Sequence, residues 1–467
     1  MTGLFLPDVE LATGRVDVRC SDGLVDEIGP DLEPRPGDTV VRGVAAALPG
    51  LHDHHLHLMA MAARSTSVDV GPVAVAGTGG LDRVLRGADA RLRPGAWLRA
   101  VGWDEAGGRL DRWALDRRVP DRPVRVQHRA GHLWILNSAA CQALEIERDP
   151  SAGVERDASG VPTGRLVDRD DWLAAHLPRG DPPDLGAVSR RLAAYGVTGV
   201  TDATPTTDAA DVELLAAARR AGTVVQRVTV MGGIGPAGPR VPEGIVLGPA
   251  KVMVSDGRYP GVEDLARQFE AAHRGDRPVA VHCVTRIASV LAIAAWESAG
   301  ARDGDRMEHG GVLPPDLVER LATLGVTVVT QPSFLRVRGD DYRREVEADD
   351  FGHLYRCASL ERAGVGLGGS SDAPFGPDDP WAAMAAAVDR RTMSGRLIGG
   401  AERLSPGRAL ELFLSDPRSP GGPPRPILPG APADLCLLDC DRRRALEDLD
   451  AGHVVATVVG GRLVHRA

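Results

Sequence analysis

Hydrophobic and polar positions along this chain fall into two textures. Near both ends they alternate in short runs broken by turns. Gly14-Arg15-Val16-Asp17-Val18-Arg19-Cys20 and Leu24-Val25-Asp26-Glu27-Ile28 flank Ser21-Asp22-Gly23, the pattern of a β-hairpin. The far end repeats it: Ala433–Asp439 and Val454–Val459 precede Gly460-Gly461-Arg462-Leu463-Val464. The two ends are therefore expected to be β-structure outside the main body and to pair as one small domain. The middle alternates short apolar runs with helical segments, as parallel βα units do. An apolar run from Val41 to Leu51 opens this part, and further strands are expected at 199–203, 226–231, 251–254, 279–282, 306–309, 326–330 and 365–368. Between them lie helices such as Ile287 to Ser298, with Ile287, Val290, Leu291, Ala294 and Trp296 as its apolar face. Eight such units predict an α/β protein built on a (β/α)₈ TIM-like barrel, whose working face lies at the C-terminal ends of the strands.

One interval interrupts the alternation. Residues 64–190, after the first barrel strand, hold Trp97, Trp103, Trp113, Trp134 and Trp172, five of the seven Trp in the chain. A structureless loop of that length is implausible, so an inserted subdomain or lid is expected. Its Trp residues suit an apolar or aromatic part of a substrate, and they suit core packing equally well.

Composition changes the picture in two ways. At 467 residues, 43% hydrophobic and 25% charged, the chain matches a globular enzyme with a barrel-sized domain and an appendage, and its net charge of -9 argues against nucleic acid or an anionic membrane as partner. No stretch reads as a signal peptide or a membrane span, and six Cys without a CxxC pair fit a reducing, cytoplasmic setting. The second change is sharper. Basic residues are almost all Arg, and Lys251 is the single lysine. Chemistry open only to a primary amine is one reason for its survival.

The first barrel strand ends in Pro49-Gly50-Leu51-His52-Asp53-His54-His55-Leu56-His57-Leu58. Alternation on a strand puts His55 and His57 on one face, roughly 6–7 Å apart, while His52 and His54 point away. Two neutral imidazoles so spaced can hold one metal ion. Other ligand types recur at strand ends: Lys251 on the fourth, His282 on the fifth, His309 on the sixth, and Asp372 after the eighth. A single strand-end His or Asp is commonly a capping or solvated group, whereas coincidence at five strands points to one shared site. Zn²⁺ suits these donors, and a site with open coordination lowers the pKa of bound water to about 7. Asp372 would ligate the ion, take a proton from the attacking water and deliver it to the leaving group. Lys251, carboxylated by CO₂, would bridge two ions about 3.5–4 Å apart, which Arg cannot do.

Finer motifs carry a resemblance. Gly102-Trp103-Asp104, Gly131-His132 followed by Asn137-Ser138, Pro162-Thr163-Gly164, Lys251 with Asp256-Gly257, Arg306-Met307-Glu308-His309, and Ser371-Asp372-Ala373-Pro374 with Asp379-Pro380-Trp381 stand along nearly the whole chain. Together with Asp-x-His-x-His they resemble the amidohydrolase superfamily, in its amidohydrolase-3, YtcJ-like branch. The resemblance implies a metal-dependent hydrolase of C–N bonds other than peptide bonds, with His55, His57, His282, His309, carboxylated Lys251 and Asp372 at the metal. It also implies that residues 1–48 and 415–467 form a composite β-sandwich beside a barrel over 49–414. Ala130 and Asp168 depart from the branch's usual Asp and Glu, which bears on substrate more than on metal. Candidates for substrate contact are His132, Trp103 and Arg336, with Arg338 as a further clamp for a carboxylate; a lid His is as often a structural donor, and solvated loop charges are the plainer reading of the two Arg. Cys283 is expected to face away from the metal, and Asp202 to support it. Partners expected are a small-molecule substrate and, at most, a second copy of the chain in a homodimer. Two rival readings stay open: a deaminase with one zinc ion, and an inactive barrel that only binds.

Overall fold

A computed structural model describes residues 3–131, 133–178, 183–233, 241–255 and 259–467. The chain divides into two compact units, Met1–Leu58 with Leu185–Ala467, and Met59–Asp184.

Parallel strands of the first unit include β1 (Leu51–Leu56), β2 (Val197–Asp202), β3 (Arg227–Val230), β4 (Ala250–Met253), β5 (Val279–Cys283), β6 (Arg306–His309), β7 (Thr327–Thr330) and β8 (Leu367–Gly369). They are short, almost wholly buried and rich in Val, as strands covered on both faces must be. Strand pairing gives two parallel sheets and no single closed ladder. One runs β1-β2-β3 and ends on the short strand Ile245–Leu247; the other runs β4 to β8 in sequence order. Backbone hydrogen bonds bridge the two junctions. Lys251 N donates to Gly232 O at 2.8 Å beside β3, and Asp372 N donates to His55 O at 2.8 Å beside β1. The second junction is reinforced by His57 N donating to Ala373 O at 2.8 Å.

Helices follow the strands. The helix Arg286–Ala299 buries Ala288, Ala292, Ile293, Ala295 and Trp296, while Ile287 and Val290 are exposed at 52% and 39%. The expected apolar face is therefore rotated. The helix is flanked by Val262–Arg274 and Pro315–Leu324, and small Ala side chains allow that close approach.

Both chain ends share one eight-stranded sheet. Its path runs Arg462–Arg466, Val454–Val459, Leu435–Leu438, Ala46–Pro49, Leu4–Leu11, Gly14–Ser21, Leu24–Gly29, with Thr39–Val40 beside Leu4–Leu11. Asp22 (φ 51°) and Gly23 (φ 84°) make the predicted hairpin turn, both in the left-handed region that such turns need. Its core includes Leu6, Val9, Val18, Leu435, Leu437 and Val458. Ala46–Pro49 leads through Gly50 straight into β1, so the terminal sheet sets where the first barrel strand begins. A Cβ on Gly50 would lie 2.1 Å from Thr198 Cγ2, which explains the glycine.

The second unit, Met59–Asp184, is a six-stranded sheet from Val68–Asp69 to Val154–Arg156. Separate clusters around Leu85, Leu98 and Trp103 and around Trp134, Leu136 and Leu166 fill it, so two of the expected lid Trp residues serve as its core. Among the described residues no helix is long and apolar enough to cross a membrane.

Candidate metal centre

At the C-terminal end of β1, His55 is 1% exposed, and His57 follows just past the strand. Their rings meet edge to face at 5.4 Å between centroids. Asp372 Oδ1 lies 3.2 Å from His57 Nε2 and 3.5 Å from His55 Nε2. Ligand-capable atoms of His55, His57 and Asp372 all fall within 4.8 Å of one another, a spacing that can close on one ion. His309 stands beside them: its Nδ1 is 3.9 Å from Asp372 Oδ2 and its ring centroid 4.9 Å from that of His55. His282 joins through His309, with Nδ1 2.9 Å from His309 Nε2.

Lys251 is 4% exposed, and its Nζ has no hydrogen-bond partner among the described residues. Burial lowers its pKa below that of an ordinary lysine, against the pull of Glu308 and Asp372. Burial also lowers His55, His282 and His309, which favours the neutral form that ligates metals. Burial works against the Asp372 carboxylate, but the hydrogen bond from His57 and the neighbouring His55 and His309 outweigh it and hold its pKa at about 2. The site thus gathers nitrogen donors around one carboxylate.

The residues that reach this point stand on or just past five of these strands, and the sequence model of the amidohydrolase family matches residues 45–465. The chain belongs to the amidohydrolase family. It is similar to the putative amidohydrolase YtcJ of Bacillus subtilis (strain 168), 28% identical over 401 residues, covering 74% of each chain. It is also similar to the N-substituted formamide deformylase of Arthrobacter pascens, 27% identical over 482 residues, covering 86% of this chain and 87% of that one. Among solved structures, an uncharacterized metal-dependent hydrolase from Pyrococcus horikoshii OT3 shares the fold with a TM-score of 0.75 at 20% identity, covering 97% of this chain and all of that one. N-isopropylammelide isopropylaminohydrolase from Burkholderia multivorans ATCC 17616 shares it more distantly, with a TM-score of 0.55 at 18% identity over 100% of this chain and 99% of that one. The α/β, TIM-like architecture of this amidohydrolase is therefore common to its structural neighbours.

Around the ligand set of this amidohydrolase lies a second group of side chains that strand-end reasoning missed. Glu308, fully buried, hydrogen-bonds His55 Nδ1 through Oε2 and accepts from Arg306 Nε at 2.5 Å through Oε1. Arg306 Nη2 in turn donates to His54 O at 2.9 Å. Gln331 Oε1 sits 2.8 Å from His309 Nδ1, and Thr204 Oγ1 3.0 Å from His57 Nδ1. Asp202 accepts from Leu58 N and Thr204 N at 2.8 and 3.0 Å, tying β1 to β2 beneath the site. Asp53 Oδ1 accepts from His55 N and Ser371 N, and burial pushes its pKa up to about 7 against those bonds. One signal was available for Gln331. It follows β7, the one late strand for which the sequence reading named no polar end.

Adjacent strand residues normally face opposite sides, yet Glu308 and His309 both serve this site. His309 takes φ 69°, which turns its side chain out of the strand's alternation; Asp372, past the end of β8, is also left-handed at φ 52°. Such backbone is uncommon for non-glycine residues and clusters at functional sites.

The expected substrate contacts are dispersed. His132 lies outside the described residues, as do Asp256 and Gly257. Trp103 is 3% exposed within the core of the Met59–Asp184 unit. Arg336 is exposed on the helix Ser333–Glu345, and Arg338 on the same helix covers the rings of Phe334 and Tyr342 at 5.8 and 5.7 Å. Cys283 Sγ lies 3.6 Å from Ala288 O.

Proposed function

We propose that this amidohydrolase hydrolyses amide-like C–N bonds other than peptide bonds in a small molecule, with divalent metal bound by His55, His57, His282, His309 and Asp372. The observation that carries the reading is the convergence of His55, His57 and Asp372 within 4.8 Å, together with the buried amine of Lys251, which has no hydrogen-bond partner among the described residues. A buried amine without a partner is costly. A carbamate formed there with CO₂ would replace that lone donor with an anionic oxygen ligand, so the residues fit two ions as well as one. The donor set suits Zn²⁺ foremost. When bound, such an ion polarises a carbonyl oxygen and makes water acidic enough to attack near neutral pH.

The chain's own residues do the rest. Asp372, held ionised, accepts a proton from the attacking water at a carboxylate oxygen and gives it to the departing nitrogen. Glu308, Gln331 and Thr204 fix the rings of His55, His309 and His57, so that each presents one chosen nitrogen. The deformylase relative makes N-substituted formamides the first substrates to try, beside N-acyl amines and cyclic amides.

Metal analysis of the purified protein is expected to find divalent ions, and hydrolysis of a member of that panel to depend on them. Protein without bound metal, and without activity after metal is added, would falsify the proposal. Lys251→Arg is expected to lower the rate by roughly 100-fold or more. A Lys251→Arg protein of unchanged rate that releases ammonia as its sole nitrogen product would mark a one-metal deaminase instead.

A further inference from the structure

We infer that this protein carries a second metal site, remote from the first in sequence, at the end of the terminal sheet: Asp439, Cys440 and His453 form a three-donor pocket for a borderline divalent ion such as Zn²⁺. The strand Leu435–Leu438 ends at Asp439, and the turn Ala451–His453 precedes the strand Val454–Val459. A backbone bond, Asp439 N to His453 O at 3.0 Å, fixes the two segments to each other. Carboxylate oxygen, thiol sulfur and imidazole nitrogen from these residues lie within 4.8 Å of one another. His453 Nδ1 is 3.0 Å from Asp439 Oδ1, and its Nε2 is 3.1 Å from Asp448 Oδ2.

Ion pairs join His453 to the two carboxylates and the Cys440 thiol hydrogen-bonds Asp439, so the four groups already stand together. A metal would use all four. Thiolate, imidazole and carboxylate are the ligand types of zinc, held in one shell roughly 3.3–3.8 Å apart given the usual bond lengths, so only a small closure is needed. Asp448 then takes the place that a carboxylate commonly holds behind a metal-bound histidine, accepting its second N–H. On binding, the thiol proton of Cys440 leaves to solvent and His453 ligates through a proton-free Nδ1, its ring N–H kept at Nε2 toward Asp448. Burial, then Asp439, pushes the Cys440 thiol up to about 11, and Asp439 and Asp448 raise His453 against its partial burial.

The test uses the full chain and one convenient fact: Cys440 is half-buried, while the other five cysteines are buried. An aromatic disulfide reagent applied to native, metal-stripped protein therefore reads Cys440. Zinc is expected to slow that reaction about tenfold or more, since a ligated thiolate is shielded, and His453→Gln to abolish the protection. Zinc-saturated Cys440→Ala should hold one ion fewer per chain than the parent, with hydrolysis unchanged. A thiol rate indifferent to zinc in the parent protein overturns the inference whatever the variants do, as does equal metal content in the parent and Cys440→Ala.

Discussion

Glu308→Gln keeps the size of a side chain that joins Arg306 to His55 and removes only its charge. Nothing in the ligand set changes, so any effect on metal comes through the orientation and basicity of His55. Metal affinity is expected to fall by roughly 10–100-fold, with the melting temperature measured alongside to separate folding from binding. Competition with a chromophoric chelator gives the number, and an unaltered affinity would remove Glu308 from any positioning role. At this scale the sequence was legible where chemistry restricts residue type. Metals take few ligands, and strand ends converge, so His55, His57, His282, His309, Lys251 and Asp372 stood out together. Glu308 was hidden by the rule that helped elsewhere, since alternation assigns it to the face opposite His309. The left-handed backbone at His309 reverses that, and no residue pattern announces it.

Among the elements, the β6 end is the most constrained. His309 at φ 69° is followed by Gly310 at φ 55°, two successive left-handed residues that redirect the chain under the site. A Cβ at Gly310 would lie 2.8 Å from Val328 Cγ1 and 3.0 Å from Leu313 Cδ1. Gly310→Ala is thus expected to destabilise the protein by about 1–3 kcal/mol, and to lower activity by displacing His309. Urea unfolding followed by fluorescence checks the first part; a midpoint equal to the parent's would mean the turn tolerates a side chain. Element types and order were readable from patterning, but which face a helix buries was not. On Arg286–Ala299 periodicity favoured the bulky Ile287 and Val290. Packing between two neighbouring helices instead buried the alanines, because close approach rewards small size there as much as hydrophobicity.

For the whole molecule, the proposed ions contribute to stability as well as to chemistry. Their ligands come from β1, β5, β6 and the segment after β8, which are brought together only in the folded chain. An ion present at roughly 100–1,000 times its dissociation constant adds about 2.7–4.1 kcal/mol of stability. Thermal melts at one scan rate, with and without a strong chelator, should therefore show a lower transition when metal is removed. Transitions that coincide would argue against a metal site that forms on folding. The Trp-rich interval suggested an insertion at 64–190, and the chain divides into two compact units of which one is Met59–Asp184; the two-ladder pairing of the strands had no such signal. Which edges hydrogen-bond depends on local register at Gly232 and Asp372, and hydrophobic runs carry no record of it.

The terminal sheet also imposes an order of events. Ala46–Pro49 pairs with Leu435–Leu438, a strand that lies about 390 residues further on. At ~5–20 residues per second, synthesis leaves Ala46–Pro49 without that neighbour for on the order of 20–80 s. Through that interval Ala46–Pro49 lacks its partner on one side, and β1, joined to it through Gly50, lacks its anchor. An early strand is thus among the last to gain its full set of partners, and His55 and His57, whose backbones bond Asp372 and Ala373, wait with it.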